Sequence, residues 1–530
     1  MLVSRKSFLG IVAGGAVAAL TARCAFRSPD PGEHPADGAT TAGRLGRGGV
    51  IDVATIGEPP TLDAMASTVD LVGVISQHIF ETLYTFDAAW RIVPLLAARL
   101  PDITPDGLSY TITLREGVPF HDGQVMTSHD VVASLRRWMT VATRGRQAAR
   151  RVARVEAVSP TMVRITMSAR YAPLLALLAF NNSAAIVLPA NRQEVPMQAP
   201  VGTGPYRLQR RLPDRYTQLV RFERYAARPE ASNGYGGARL RHLDEIRFVP
   251  VPDASTRLEG AVSGQFDFVS DIPVEAYGRL VDQPRTQPVI LKPFGWVAIV
   301  FNTRRGPGAS QALRRAVRTA LNMGDIMMAA FGDPAFYALN GSLYPPGSTW
   351  HSWAGVDGAY NLADPVAARA LARAAGYDGT PLRFLTSRQQ PFHYKTAFVA
   401  ADALRQAGFA VELQLVDWAT LSQRRANPDL WDMYVSDSPF LPEPALLGPM
   451  NAQGPGGWSS PARNAALAAF EAEMDPAKRI ALWARMQEII MAEAPIIKVG
   501  DYNSLSARSP HLRGVPSLPW PAFWNASVQA

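Results

Sequence analysis

The residue types that commonly carry enzyme chemistry are present, but not in the spacing of catalytic motifs. The chain has eight histidines and one cysteine, Cys24, so it lacks a cysteine pair for zinc. It contains no G-x-S-x-G, H-E-x-x-H or G-x-x-x-x-G-K-[ST] sequence. His121 and His129 are eight residues apart, whereas metal ligands on one helix face are three or four apart. The sequence therefore predicts no enzyme activity, no metal site and no cofactor.

The composition is that of a large globular protein with a basic surface. The chain has 530 residues, 47% hydrophobic and 18% charged, which is enough for two or three domains. The net charge is +8, and the basic residues are scattered along the chain. We interpret this excess as the solvated surface of an exported protein, because nucleic-acid binding usually requires clustered basic residues. A single cysteine excludes an intrachain disulfide.

The N-terminal residues have the pattern of an export signal, predicted here as residues 1–24. A positively charged start precedes an apolar run from Phe8 to Leu20 that is too short to span a bilayer comfortably. Cys24 lies in a sequence similar to a lipoprotein cleavage site, so it is a candidate lipid anchor, and both the secretory and the twin-arginine export routes remain open. Residues 25–49 are rich in Pro, Gly, Ala and Thr and predict a flexible tether. We expect a periplasmic location.

The stretch Gly107–Arg137 predicts the elements that would support a site. Apolar and polar residues alternate over Tyr110–Leu114, which is typical of a half-buried strand. Two turns rich in glycine follow. Thr127 or Ser128 is then placed to cap a helix, with Asp130 in its first turn, where a carboxylate suits the helix dipole.

The amino-acid sequence of this stretch, LREGVPFHDGQVMTSHDVVASLRR, closely resembles the signature of the bacterial extracellular solute-binding protein family 5. That family includes the peptide, dipeptide and nickel binders of ATP-driven importers. A second stretch, VGTGPY at residues 201–206, also resembles a family motif. We expect Gly202 and Gly204 there to adopt backbone conformations barred to other residues. We interpret both motifs as scaffold, and the resemblance extends from about residue 50 to the end of the chain.

The resemblance implies an α/β fold, that of a two-lobed periplasmic binding protein of type II, in the large cluster C form, with an extra subdomain in the first lobe. Alternating strands and helices support the α/β class independently. A ligand would lie between the lobes, and hinge closure would bury it. The implied boundaries are 50–86, 200–292 and 499–530 for lobe 1, 87–199 for the inserted subdomain and 293–498 for lobe 2, with crossings near 292–302 and 496–501.

The function implied by the resemblance is that of the substrate-binding protein of an ABC importer. Such a protein captures short peptides and delivers them to permease subunits in the inner membrane. We expect it to act as a monomer and to bind no nucleic acid. Within the same class, a nickel chelate, haem, an opine or an oligosaccharide are alternative ligands. An exported hydrolase on an unrelated α/β fold is a further alternative, although the sequence suggests no pair of nucleophile and base.

A peptide has two charged ends, and each needs a partner when it is buried. In the peptide binders of the family, an aspartate after a strand such as Trp431–Val435 binds the ammonium group. Asp437, in the predicted loop Ser436–Pro444, is at the matching place. For the carboxylate, the resemblance points to Arg388, whose guanidinium can hold both oxygens, or to Lys395. Three aromatic side chains could line pockets for ligand side chains, although a place in the core is the favoured interpretation for each: Trp296, Trp418 and Phe440.

Overall fold

The structure, a computed structural model of the chain, describes residues 48–389 and 391–529. The predicted export signal, with Cys24, and all but the last two residues of the predicted tether lie outside the described residues. The strands are β1 (Val50–Thr55), β2 (Tyr84–Phe86), β3 (Ile92–Pro94), β4 (Asp102–Ile103), β5 (Ser109–Thr113), β6 (Val152–Ser159), β7 (Met162–Met167), β8 (Tyr206–Leu212), β9 (Tyr216–Arg221), β10 (Glu245–Pro250), β11 (Phe268–Val269), β12 (Gln287–Phe301), β13 (Tyr337–Ala338), β14 (Leu382–Thr386), β15 (Val411–Leu415), β16 (Met433–Pro439), β17 (Ile496–Arg508), β18 (Leu512–Arg513) and β19 (Ser527–Val528).

Several helices begin with proline directly after a polar capping residue. Asp364, Ser460 and Asp475 accept hydrogen bonds from backbone N–H groups of the first turn that follows each of them, which satisfies donors that a helix start leaves free. The helices are α1 (Asp70–Ser76), α2 (Ser128–Val141), α3 (Thr143–Ala149), α4 (Leu174–Ala179), α5 (Ala254–Ser263), α6 (Tyr277–Val281), α7 (Gln311–Ala320), α8 (Met323–Phe331), α9 (Pro365–Ala374), α10 (Pro391–Gln406), α11 (Trp418–Arg424), α12 (Pro461–Ala472) and α13 (Pro476–Glu493).

One mixed sheet of eleven strands forms the frame of the molecule. Ten of its strands follow the order β15-β14-β16-β12-β17-β11-β1-β10-β9-β8, and β13 pairs separately with β17. Strand β1 runs parallel to β10 and β11, and β14 runs parallel to β15 and β16, whereas β12 is antiparallel to both of its neighbours. Parallel pairs therefore lie on both sides of the antiparallel strands β12 and β17, and β9 and β8 extend one side through antiparallel pairs. This arrangement divides the sheet into two α/β halves.

Strands β12 and β17 lie between the two halves, and the chain passes from one half to the other through them. Their ladder pairs Leu291 with Ser504, is interrupted, and resumes with Gly295 opposite Tyr502. On the Leu291–Ser504 side of the interruption, β17 also pairs with β11. On the Gly295–Tyr502 side, β12 also pairs with β16. The interruption begins where the sequence predicted the first crossing between lobes. The individual lobe boundaries remain predictions.

A separate four-stranded sheet, in the order β4-β5-β7-β6, lies in the segment predicted as the inserted subdomain. In strand β5 the side chains of Tyr110 and Ile112 are buried while their neighbours are half-buried, as the alternation predicted. Thr127 precedes α2, and the Asp130 carboxylate accepts hydrogen bonds from the backbone N–H of Thr127 at 2.8 Å and from its hydroxyl at 2.9 Å. The predicted strand and capped helix are therefore confirmed.

The signature helix α2 is tied to the N-terminal part of the chain by a buried ion pair. An Nη atom of Arg137 lies 2.5 Å from a carboxylate oxygen of Asp63, and both side chains are almost completely buried. The same guanidinium donates to the carbonyl oxygens of Gln193 and Glu194. A buried cation with its donors used in this way is a fixed part of the scaffold.

The glycines of the VGTGPY stretch have a different role from the one predicted. Neither Gly202 nor Gly204 has a positive φ angle. Instead, a Cβ atom on Gly202 would lie 2.2 Å from the Ile79 carbonyl oxygen, and one on Gly204 would lie 2.5 Å from the His78 carbonyl oxygen. The stretch therefore needs glycine because it packs directly against the backbone that follows α1, and not because of its backbone angles.

We expect the substitution Asp63→Asn to lower the free energy of unfolding by about 3–5 kcal/mol, because it leaves the buried Arg137 guanidinium without its counter-charge. Urea unfolding followed by circular dichroism measures this loss. The matched control is Asp102→Asn, which removes an ion pair with Arg99 whose side chains are 64% and 57% exposed and should change stability by no more than about 1 kcal/mol. Equal effects of the two substitutions would contradict the structural role of the buried pair.

Candidate functional site

Asp437 lies near the end of strand β16, where the sequence predicted a loop. It pairs with Val297 of β12 in a ladder that continues to Pro439, so pairing with a distant strand overrides a local sequence typical of turns. Nε2 of His393 lies 2.9 Å from its Oδ1, and the Tyr502 hydroxyl donates to Oδ2 at 2.9 Å. The Asp437 side chain remains 31% exposed. The carboxylate is therefore held in place by the protein and is open to solvent on one side.

Two opposing effects set the pKa of Asp437. Burial raises this pKa, whereas the hydrogen bonds from His393 and Tyr502 lower it by more, so that the pKa lies below its ordinary value. The carboxylate is therefore ionised at neutral pH. It offers a fixed negative charge on this part of the sheet.

The carboxylates of Asp70 and Asp271 lie within the electric field of Asp437. Both side chains are exposed, yet burial raises the pKa of each, and the charge of Asp437 raises it further. Burial raises the pKa of Tyr502 well above its ordinary value, and all three carboxylates add to that effect. The four groups influence one another's pKa values, so they lie near one another around one space that is open to solvent at the carboxylates. We call this space, bordered by Asp70, Asp271, Asp437 and Tyr502, the cleft.

Arg144, on helix α3, brings a positive charge to the cleft. Its Nε donates to the Asn182 carbonyl oxygen at 2.9 Å, and the Asn182 amide donates to Asp70 at 2.8 Å. The guanidinium carbon of Arg144 lies 4.5 Å from the centre of the Phe180 ring. Within the part of the chain that the structure describes, its two terminal nitrogens make no hydrogen bond. They are therefore available to a ligand.

The face of α3 that carries Arg144 also contacts the segment that follows strand β16. Gln147, three residues further along the helix, donates to the Ala445 carbonyl oxygen at 3.3 Å, and Ala445 follows the strand that carries Asp437. Residues three apart share a helix face. Burial lowers the pKa of Arg144 to about 10, while Asp70 acts in the opposite direction, so the guanidinium is charged at neutral pH.

Neither of the two basic residues predicted from the sequence forms a hydrogen bond or an ion pair with Asp437. Arg388 is exposed, and its guanidinium carbon lies 5.2 Å from the centre of the Tyr394 ring. The ammonium group of Lys395 forms an ion pair with Glu275 at 2.6 Å, and both side chains are substantially exposed. Their role in ligand binding stays a prediction.

The three predicted aromatic residues have different surroundings. Trp418 is half-buried, and its ring centre lies 5.9 Å from that of His393, next to Asp437. Trp296 is 4% exposed, and its indole nitrogen has no hydrogen-bond partner among the described residues. Phe440 is half-buried, with the Lys498 ammonium nitrogen 5.8 Å from its ring centre. Of the three, Trp418 is the one whose ring contacts His393, the hydrogen-bond partner of Asp437.

Five residues border the cleft or support Asp437 without having been predicted from the sequence: Asp70, Asp271, Arg144, His393 and Tyr502. His393 lies between the predicted basic partners Arg388 and Lys395, where an imidazole is a further candidate. The other four come from regions far apart in the sequence. No local pattern distinguishes them, because the topology of the sheet brings them together.

Among residues 48–389 and 391–529, no three His, Cys, Asp or Glu side chains are grouped so that they could hold a metal ion. In the same residues, no helix has the length and apolar character needed to cross a membrane.

The sequence matches a family model described as "Bacterial extracellular solute-binding proteins, family 5 Middle" over residues 91–457. The probable peptide ABC transporter periplasmic-binding protein y4tO of Sinorhizobium fredii is 24% identical over an alignment of 490 residues that covers 87% of this chain and 90% of that protein. The glutathione-binding protein GsiB of Escherichia coli K12 is 25% identical over an alignment of 543 residues that covers 97% of each chain.

The structure is similar to that of the periplasmic binding protein DppA from Helicobacter pylori, solved in complex with the peptide STSA. The TM-score is 0.78 at 20% identity, covering 91% of this chain and 99% of the other. This likeness confirms the predicted two-lobed α/β fold class.

We expect the substitution Tyr502→Phe to raise the pKa of Asp437, because it removes a hydrogen bond that holds this pKa down. The lowered pKa means that the ionised carboxylate stabilises the fold above the unfolded-state pKa, and that this contribution is lost as the pH falls through the folded-state pKa. In the variant the loss should begin at higher pH. A titration of the Asp437 carboxyl carbon by ¹³C NMR measures the shift. Tyr337→Phe, at the position paired with Tyr502 on β13, is the control, and an unchanged Asp437 titration in the Tyr502 variant would contradict the assignment.

Proposed function

Because this chain belongs to the bacterial extracellular solute-binding proteins, family 5, we propose that it captures short peptides in the cleft and delivers them to the permease of an ABC importer. The membership confirms the resemblance seen in the sequence. Proteins of this family are transport binding proteins and not enzymes, and they work with membrane permeases. We further propose that the protein acts in the periplasm as a monomer, with Cys24 as a candidate lipid anchor.

The observation that carries the peptide proposal is the ionised, partly exposed carboxylate of Asp437. Burying a peptide ammonium group without a counter-charge would cost several kcal/mol. Asp437 offers that counter-charge, and His393 and Tyr502 fix its orientation before the ligand arrives, which reduces the entropy lost on binding. Asp70 and Asp271 add negative potential that favours a cationic group in the same place.

For the peptide carboxylate, the contacts favour Arg144 over the two residues predicted from the sequence. The terminal nitrogens of Arg144 have no hydrogen-bond partner among the described residues, and a guanidinium can bind both oxygens of a carboxylate. Lys395 is already paired with Glu275. Arg388 is exposed beside Tyr394 and could contact a longer peptide. A ligand held between Asp437 and Arg144 would contact both sides of the cleft.

Closure of the lobes around such a ligand would strengthen these contacts. The removal of water lowers the local dielectric, so the same charge pairs attract more strongly. The Trp418, Trp296 and Phe440 side chains would then border the ligand side chains, with water left to fill the remaining space. The protein would then bind peptides of varied sequence, because it holds their charged ends and encloses their side chains only loosely.

We expect Asp437→Asn to weaken the binding of di- to tetrapeptides by at least about 30-fold, because loss of one partner of a desolvated charge pair costs about 2–5 kcal/mol. Isothermal titration calorimetry measures the affinity. Asp402→Asn, at an exposed position of α10, should leave it unchanged. Peptides with an acetylated N-terminus should bind weakly to the native protein and lose little more in the Asp437 variant. If the Asp437→Asn substitution lowers the affinity for acetylated peptides as much as the affinity for free peptides, Asp437 does not bind the ammonium group.

We expect Arg144→Met to weaken peptide binding by about tenfold or more, because a hydrogen bond to a charged group contributes about 1.5–3 kcal/mol. Amidation of the peptide C-terminus should produce a similar loss in the native protein and little further loss in the variant. Arg388→Met, measured in parallel, tests the residue favoured by the family resemblance. A large effect of Arg388→Met together with no effect of Arg144→Met would refute the assignment of Arg144.

A further inference from the structure

A second site is indicated by a groove between helices α7 and α9. The groove has a volume of about 350 Å³ and shares no residue with the cleft. Two arginines of α7 form one side, and the loop before α9 and the first turns of α9 form the other. The residues that line it are Arg315, Arg318, Thr319, Gly358, Leu362, Asp364, Ala367 and Leu371.

The Arg318 side chain is buried without a negative partner. It is 8% exposed. One of its terminal nitrogens donates to the Met491 carbonyl oxygen, its Nε has no partner, and no carboxylate of the described residues lies within ion-pair distance. Burial, together with the charge of Arg315, lowers the pKa of Arg318 to about 10. The positive charges of Arg315 and Arg318 therefore both border the groove, and that of Arg318 is shielded from water.

Other buried arginines of this protein show what is missing at Arg318. Arg137 is paired with Asp63, and Arg479 is paired with Glu443. Arg314, which precedes Arg315 on α7, uses all three of its side-chain nitrogens as donors to backbone carbonyl oxygens. A buried cation normally has such partners. Arg318 has one.

The other polar groups of the groove leave its positive charge largely uncompensated. Arg315 is exposed and lies three residues before Arg318, so the two share a helix face. The Thr319 hydroxyl donates to the Arg315 carbonyl oxygen at 2.9 Å. The Asp364 carboxylate accepts the N–H groups of Val366 and Ala367 at 3.1 and 2.8 Å, as the cap of α9. Asp364 therefore offsets at most one of the two arginines.

We propose that this groove is a binding site for a phosphate group. A phosphate group carries up to two negative charges, which matches the two guanidinium groups, and its oxygens fit the planar donors of arginine. The groove is larger than one such ion, and the exposed Leu362 and Leu371 border it. It could therefore accept either free phosphate or the phosphate of a lipid headgroup.

The test uses the mature protein and two probes. Inorganic phosphate is titrated by calorimetry, and vesicles of phosphatidylcholine with and without phosphatidylglycerol are tested by cosedimentation. Saturable binding of phosphate without retention on vesicles identifies a small-anion site. Retention on the phosphatidylglycerol vesicles that phosphate reverses identifies a headgroup site. Either result supports the proposal, provided that it depends on Arg315.

Arg315→Gln is the decisive variant, because Arg315 is exposed and its side chain makes no hydrogen bond to the described residues. We expect it to weaken binding by about tenfold or more, as loss of a charged hydrogen bond does. Arg318→Gln should do the same but removes a contact to α13, so its folding must be checked. The control is Arg373→Gln, an exposed arginine of α9. Absence of binding to both probes, or equal losses in the Arg315 and Arg373 variants, would overturn the proposal.

Discussion

The pairing of strands β12 and β17 is the constraint on which the rest of the structure depends. Both halves of the large sheet are attached to these two strands, and the interruption of their ladder separates the two halves. Tyr502 of β17, at the point where the ladder resumes, donates across β12 to Asp437 on β16. The proposed ligand anchor is therefore built on the strands that join the lobes, and a ligand bound there would act directly on their geometry.

The charges around this joint explain how an open cleft can be prepared for a ligand. Burial and the charge of Asp437 raise the pKa of Asp70 and of Asp271, so the three carboxylates repel one another in the open cleft. Closure without a ligand would remove water from three carboxylates and the Arg144 guanidinium, and one cation cannot neutralise three anions. Closure around a ligand with an ammonium and a carboxylate group would pair them. The arrangement therefore favours the closed form only when the cleft is occupied.

Local elements of the fold could be predicted from the sequence, because they depend on neighbouring residues. The alternation in β5 and the cap at Thr127 are examples. Asp437 was assigned to a loop because Ser, Asp and Pro favour turns, and only its pairing with β12 makes it part of a strand. Gly202 shows the same limit, since its neighbour is a carbonyl oxygen more than a hundred residues earlier in the chain. Arg144 looks in the sequence like any surface arginine, and its position is set by the topology.

The measurement that tests the central proposal most directly is native mass spectrometry of the protein, purified without denaturant from the cells that produce it. We predict a family of bound masses that fragment as short peptides. Their lengths would then define the span between the two charged anchors of the cleft. A single bound mass that is not a peptide, such as a metal chelate or a sugar, would contradict the peptide proposal and leave the family membership intact.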